Sequence, residues 1–154
     1  RNEYAAIKAR KAAAGRTVWV FVQLVEHGIL FRDLLNEMGV DCEFVSGEDP
    51  PDKVQDAIER TRKKQLKILI STRGLLGEGV DIPAVDVLIN LAGGKSAVAF
   101  TQMFGRGLRR SGEKTSLGYY DFLDETNRFL RAHSLARIRQ VRKKLGQKTL
   151  IREM

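Results

Sequence analysis

The stretch that decides the fold is Thr17-Val-Trp-Val-Phe-Val22, a run of β-branched and aromatic residues of strand length. Every residue after Thr17 in this run is apolar, whereas a strand with one solvated face alternates apolar and polar residues. Continuous apolarity predicts a strand that is covered on both faces, as in a parallel sheet. Four further strands are predicted, at residues 42–46, 67–72, 86–91 and 117–123.

Segments of helical period separate these strands. Helices are predicted at 27–38, 52–65, 96–110 and 125–145, with an opening helix at 2–14. Right-handed crossovers between successive strands then predict an α/β fold, a doubly wound, mostly parallel sheet with helices on both faces. Ligands of such folds bind outside the carboxyl ends of the strands, so functional residues are expected there.

Length and charge narrow the class of protein. The 154 residues are 43% hydrophobic, which predicts one domain over 1–154, with a leading helix at 1–14 and a basic helix and tail at 125–154. The net charge of +8 indicates a polyanionic partner. The single cysteine, Cys42, lies in an apolar alternation and is predicted to be a small core residue of a reduced, cytoplasmic or nuclear protein. No membrane span is predicted.

The segment Gln102-Met-Phe-Gly-Arg-Gly-Leu-Arg-Arg110 ends an apolar helical pattern with two glycines and three arginines. In a helix, Gln102, Arg106 and Arg109 fall on one face, which presents an amide and two guanidinium groups. Because a guanidinium matches phosphate oxygens as a planar fork, this face suits a polyphosphate. The alternative is a solvated basic helix end, where arginines interact favourably with the helix dipole.

The loop Ser71-Thr-Arg-Gly-Leu-Leu-Gly-Glu-Gly-Val-Asp-Ile-Pro83 follows a predicted strand. Its glycines would let backbone N–H groups approach an anion, its two hydroxyls could bind a phosphate, and Asp81 could accept a hydrogen bond from a ribose hydroxyl. The alternative is a structural loop whose glycines only make turns.

Four segments occur in the order and rough spacing of the conserved motifs IV, IVa, V and VI of a known family. They are the first strand with its turn, SGEDPPDKV at 46–54, the loop at 71–83 and QMFGRGLRR. The chain resembles the second, C-terminal RecA-like lobe of superfamily 2 helicases and translocases over residues 15–125. The glutamine at the head of Q-x-x-G-R-x-x-R and the EGVDIP ending resemble the DNA-translocating members, which favours DNA as the nucleic acid.

On the nucleotide side, the resemblance implies that Arg106 and Arg109 are arginine fingers for the γ-phosphate of ATP, with Gln102 beside them. Gly79 and Asp81 would meet the nucleotide sugar, preceded by Glu78 as in EGVD-type members. The cofactor implied is ATP with Mg²⁺, held mainly by a first, N-terminal RecA-like lobe, which is the implied protein partner. No other metal site is expected, because neither histidine has a ligand at metal-binding spacing.

On the nucleic-acid side, the resemblance assigns Thr72 to a phosphate contact, and Gln23, Ser46 and Gly47 to the lining of the groove. Thr72 and Asp81 are nine residues apart here, one more than in many relatives. Gly94 and Lys95 lie in a loop before the motif VI helix and are candidates for a further phosphate contact.

Gly93-Gly-Lys-Ser96 imitates the end of a Walker A loop, but Ile89 stands where the first glycine of that loop is needed. Without a Walker loop, the chain is expected to be one lobe of a larger ATP-dependent enzyme and to be inactive alone. The rival interpretation is a binding module, derived from such a lobe, that holds nucleic acid or protein without turnover.

Two other features leave alternatives open. The last helix is dense in arginine and lysine, which predicts contact with a phosphate backbone, a solvated surface or docking on another domain. Trp19 is predicted to be a core residue and not a platform for base stacking.

Overall fold

A computed structural model describes residues 2–72, 75, 85–92, 118–122 and 127–145. The helices in these ranges are α1 (Asn2–Ala12), α2 (Val25–Glu37), α3 (Pro51–Arg62) and α4 (Arg128–Leu145). The strands are β1 (Val18–Val22), β2 (Cys42–Val45), β3 (Ile68–Thr72), β4 (Val87–Asn90) and β5 (Gly118–Asp121). All five predicted strands are confirmed, and the helix predicted at 96–110 lies outside the described residues.

The five strands form one sheet in the order β2-β3-β1-β4-β5, and every neighbouring pair is parallel. β1 lies at the centre, so the chain winds outward from it in both directions. Helices pack on both faces, α1 and α2 on one and α3 on the other. The predicted doubly wound α/β fold is confirmed.

Burial on both faces explains the apolar run of β1. Val18, Val20 and Val22 belong to the core under α1 and α2, whereas Trp19 and Phe21 belong to the core under α3. All five residues of the strand are buried. A polar residue at any of them would lie against a helix, which is why the sequence shows no alternation.

Trp19 fills the core under α3, as predicted. It is fully buried, its ring stacks on that of Phe21 with centroids 5.1 Å apart, and its Nε1–H donates to the Ser71 hydroxyl at 2.8 Å. The hydrogen bond satisfies the indole N–H, which would otherwise be costly to bury. The tryptophan is therefore structural.

Asp86 fastens the amino ends of two central strands to each other. Its Oδ2 accepts hydrogen bonds from the Thr17 backbone N–H at 2.9 Å and from the Thr17 hydroxyl at 3.2 Å. In return, the Thr17 carbonyl accepts from the N–H groups of Asp86 and Val87. This reciprocal contact sets the register in which β1 meets β4.

α4 begins later than the 125–145 pattern predicts because Asn127 caps it. The Asn127 Oδ1 accepts from the N–H groups of Phe129 and Leu130 at 3.0 and 2.9 Å, as an N-cap side chain does. The helix is tied to the end of β5 through Ser134, whose hydroxyl donates to the Phe122 carbonyl at 3.3 Å. None of the described helices is long and apolar enough to cross a membrane.

Gly28 allows α2 to approach the sheet closely. A Cβ added there would lie 2.2 Å from Cε2 of the Phe44 ring, which is itself buried. Any larger residue must displace that ring. The glycine thus has a packing reason that outweighs its low helix propensity.

Cys42 is only partly buried, at the margin of the core under α1 and α2, so the predicted core position is correct only in part. Its thiol lies 3.6 Å from the Arg32 carbonyl and 3.5 Å from Asn36 Oδ1. Burial and the nearby Asp41 carboxylate raise the pKa of the thiol to about 11. The thiol is therefore protonated at neutral pH, which argues against a nucleophilic role.

We expect Gly28→Ala to lower the free energy of unfolding by about 1–3 kcal/mol, because the added methyl group overpacks the Phe44 ring. Chemical denaturation followed by circular dichroism measures the change. The double variant Gly28→Ala/Phe44→Leu should recover part of the loss, since leucine vacates the space that the ring occupies. An unchanged midpoint in the single variant would contradict the close packing.

We expect Cys42 to react with iodoacetamide at pH 8 about 100-fold more slowly in the folded chain than in denaturant. The two-unit rise in its pKa, from 9.0 to about 11, lowers the thiolate fraction by that factor. Labelling rates measured by mass spectrometry between pH 7 and 10 provide the test. A folded-state rate that levels off near pH 9 would show that the thiol titrates normally.

Candidate functional site

The parallel register gathers polar residues at the carboxyl edge of the sheet. Val22 pairs with Thr72, and Val45 pairs with Ser71, so Gln23 and Ser46 lie at the strand ends on either side of Thr72. Three residues that are remote in sequence thus meet on three adjacent strands, β2, β3 and β1. The structure brings together the predicted nucleic-acid residues Gln23, Ser46 and Thr72.

The two hydroxyls that end β3 have different surroundings. Ser71 is fully buried and accepts the hydrogen bond of Trp19, so it is not available to a ligand. Thr72, the last residue of the strand, retains 8% exposure, and within the described residues no hydrogen bond engages its hydroxyl. Of the two, Thr72 is the group that can reach a phosphate.

A tight turn follows β2 and shapes one side of this edge. The Ser46 N–H donates to Asp49 Oδ2 at 2.7 Å, and the Glu48 N–H donates to the Ser46 hydroxyl at 3.3 Å. Gly47 is exposed, and a Cβ added to it would meet nothing within 4 Å. Packing therefore does not require a glycine at 47, and its small size leaves the backbone open to a ligand.

Asp49 holds that turn as a carboxylate. Partial burial by itself raises its pKa, but hydrogen bonds from Lys53 at 2.9 Å and from the Ser46 N–H, with the charge of Lys53, outweigh burial and lower the pKa below its ordinary value. The turn is thus fixed at neutral pH. Its negative charge is offset by Lys53, so it does not repel a phosphate strongly.

The helices that follow β1 and β2 both start at this edge. α2 begins after Leu24 and α3 after Pro50, and in each case no described side chain caps the first turn. The first N–H groups of a helix lack intrahelical acceptors and carry a partial positive charge. The amino terminus of α2 therefore presents free backbone donors beside Gln23, whereas α3 opens with Pro51, which has no N–H, and its Lys53 N–H donates to the Pro50 carbonyl.

A second polar pair, Asn90 and Asp121, lies where β4 and β5 end. The Asn90 side-chain amide donates to Asp121 Oδ2 at 3.4 Å, and its Oδ1 accepts from the Ala92 N–H at 3.1 Å. The Phe122 N–H donates to Asp121 Oδ1 at 2.7 Å. Sequence reasoning missed this pair, although a single polar residue closing an apolar strand, as in VLIN and GYYD, was the available signal.

The other predicted site residues lie outside the described residues. They are Gln102, Arg106, Arg109, Glu78, Gly79, Asp81, Gly94 and Lys95. Among the residues that the structure does describe, no group of three His, Cys, Asp or Glu side chains could hold a metal ion.

Two curated relatives illustrate what the chain is similar to. It is 33% identical over 104 residues to the type I restriction enzyme EcoKI endonuclease subunit of Escherichia coli, which covers 66% of this chain and 9% of that protein. It is 32% identical over 123 residues to the pre-mRNA-splicing ATP-dependent RNA helicase prp28 of Schizosaccharomyces pombe, which covers 74% of this chain and 18% of that protein. The chain spans about a fifth or less of the length of the curated relatives it matches.

Solved structures share the fold. The C-terminal domain of the DEAD-box protein Dbp5 superposes with a TM-score of 0.66 at 18% identity, over 95% of this chain and 80% of that one. The five-stranded parallel sheet with its helices thus matches RecA-like helicase C-terminal domains. In sequence, the chain matches the helicase conserved C-terminal domain over residues 3–111, and we conclude that it belongs to this family, as a C-terminal lobe of the superfamily 2 helicases.

Proposed function

We propose that this chain is the second motor lobe of an ATP-dependent helicase or translocase and that it holds the phosphate backbone of DNA along the carboxyl ends of β2, β3 and β1. The observation that supports this most directly is the alignment of Ser46, Thr72 and Gln23 on adjacent strand ends. Family membership supports nucleic acid as the ligand class.

The groups at this edge suit phosphates better than bases. The Thr72 hydroxyl and the first N–H groups of α2 can donate hydrogen bonds, and backbone donors at a helix amino terminus favour anions. Phosphate contacts position a protein on nucleic acid but carry no sequence information. Binding through this groove is therefore sequence-tolerant, as a motor that moves along DNA requires.

DNA is proposed over RNA on the motif residues. The EGVDIP ending and the glutamine that opens QMFGRGLRR resemble DNA-translocating members, and the likeness to a type I restriction enzyme subunit supports the same choice. The likeness to the RNA helicase prp28 makes RNA the alternative to be measured beside it. The 2′-hydroxyl is the group by which the two ligands differ at a backbone site.

ATP with Mg²⁺ is proposed as the cofactor of the full-length protein, held mainly by the first lobe. Gln102, Arg106 and Arg109 would face its phosphates, and Glu78, Gly79 and Asp81 its sugar. Guanidinium groups can stabilise negative charge that develops on a transferring phosphoryl group. Gly94 and Lys95 remain candidates for a phosphate contact of the nucleic acid.

We expect Arg106→Ala and Arg109→Ala to lower the DNA-stimulated ATPase rate of the full-length protein about a thousandfold each, the magnitude typical of an arginine finger. Lysine at either position should restore little, because it keeps the charge but not the planar fork. Arg62→Ala, on the exposed surface of α3, is the control and should leave turnover unchanged. The isolated chain should show no ATPase activity.

Two results would revise this assignment. Near-normal turnover in both alanine variants would remove the two arginines from the nucleotide site. A full-length protein that binds nucleic acid but never hydrolyses ATP would show a binding module in place of a motor.

We expect Thr72→Val to weaken binding of the chain to single-stranded DNA about 10- to 100-fold, the loss of one hydrogen bond to a charged group. Because threonine is neutral, the dependence of affinity on salt should stay the same. Thr72→Ser should restore binding, and Ser71→Ala should lower stability without weakening binding. Fluorescence anisotropy with DNA and RNA oligonucleotides of one sequence measures these effects. Unchanged affinity in Thr72→Val, or tighter binding to RNA, would contradict the proposal.

A further inference from the structure

The positive charge of the chain is concentrated on two helices. α1 and α4 together contain ten of the 27 lysines and arginines and one of the 19 acidic residues, so they carry a formal charge of +9. The whole chain carries +8, which leaves the remainder at −1. The excess charge is a property of these helices and not of the domain as a whole.

The helices also differ in whether their cations form ion pairs. The cations of α2 and α3 are all paired with carboxylates: Arg32 with Asp33, Lys53 with Asp49, Arg60 with Glu43 and Asp56, and Arg62 with Glu59. In contrast, no ion pair engages the cations of α1 and α4 whose side chains are described, which are Lys8, Arg10, Lys11, Arg128, Arg131 and Arg139. These six cations are therefore available to an external anion.

Both helices contact Phe122, the residue that follows β5. The Tyr4 ring of α1 packs edge-on against Phe122 with centroids 6.3 Å apart, and Ser134 of α4 donates to the Phe122 carbonyl. Lys8 lies over the Tyr4 ring, 5.3 Å from its centroid. Lys8 of α1 and the start of α4 at Asn127 therefore both lie near the carboxyl end of β5.

An exposed aromatic side chain lies in the first turn of α4. Phe129 is 76% exposed, and Arg128 and Arg131 of the same turn are exposed on other faces of the helix. Unpaired arginines together with an exposed aromatic ring are the combination that holds single-stranded nucleic acid, through phosphates and through base stacking.

We propose that α4, with the neighbouring cations of α1, forms a second contact surface for single-stranded nucleic acid. Arg128, Arg131 and Arg139 bind backbone phosphates, and Phe129 stacks on an unpaired base. The surface extends beyond the groove at β2, β3 and β1 and depends on the proposed function only for the class of ligand. It would hold the nucleic acid beyond the part of the lobe that contacts it at the ends of β2, β3 and β1.

The test is the salt dependence of binding. We expect Arg128→Gln/Arg131→Gln/Arg139→Gln to reduce the slope of log affinity against log salt by about 2, since each phosphate contact on a single strand contributes about 0.7. The matched control, Lys63→Gln/Lys64→Gln/Lys67→Gln, removes the same charge from exposed lysines at the amino edge of the sheet. The control should leave the slope nearly unchanged. Anisotropy titrations of a labelled 20-nucleotide single strand at several salt concentrations give both slopes.

The proposed stacking of Phe129 on a base is tested separately. We expect Phe129→Ala to weaken single-strand binding about tenfold and to leave duplex binding unchanged, while Phe129→Trp restores it. Leu30→Ala, at an apolar residue of α2 that is 64% exposed, serves as the control. Circular dichroism would verify that each variant is folded.

Several results would overturn the second surface. Equal slope changes in the two triple variants would show that the effect comes from net charge and not from the position of the arginines. An unchanged slope in the arginine variant would show that α4 faces solvent or a protein partner. Binding of polyglutamate as tight as DNA, insensitive to Phe129→Ala, would make the ligand an acidic polypeptide. A failure of the groove proposed at β2, β3 and β1 can be told apart from a failure of the second surface. Thr72→Val tests the groove through affinity alone, whereas the arginine variant tests the second surface through the salt slope.

Discussion

Parallel pairing of β1 with β3 on one side and with β4 on the other is the constraint on which the rest of the structure depends. Because all strands point the same way, their carboxyl ends collect at one edge, and polar side chains that close apolar strands become neighbours there. Asp86 and Thr17 hold the opposite edge in register. The positions of Gln23, Ser46 and Thr72 follow from the pairing of β3 with β1 and with β2.

The strands and the fold class could be predicted because their cause is local. A strand covered on both faces must be apolar throughout, and Val18–Val22 shows this in five consecutive letters. The direction of the strands followed from the same property. The start of α4 was predicted three residues early, because periodicity does not reveal that Asn127 serves as the cap.

What could not be predicted depends on partners remote in sequence. Nothing in the sequence of the loop starting at Ser71 indicates that the Ser71 hydroxyl accepts a hydrogen bond from Trp19, 52 residues earlier. The pairing of Asn90 with Asp121 likewise becomes visible only when β4 and β5 are neighbours. The assignments of Arg106, Arg109 and Asp81 rest on motif resemblance and stay predictions.

Charge in this domain has two different physical meanings. On α3, arginines and carboxylates are spaced three or four residues apart, and such exposed pairs contribute little to stability while making the surface nearly neutral. On α4 the acidic residues are missing from the sequence of the helix, so its field extends into solvent. Net charge alone does not distinguish these two cases, whereas the distribution of acids between helices does.

The central place of β1 also has a consequence for how the chain folds. Val18 pairs with Ile68 and Val87, so β1 has no strand partner until at least fifty further residues have been synthesised. Closing such long loops before any pairing is gained makes parallel sheets of this kind slow to fold. During that interval an apolar run of high β-propensity is without its neighbours, which is the condition under which chains associate with one another. The residues that make the centre of the sheet dry are therefore also the ones that most need shielding in the newly made chain.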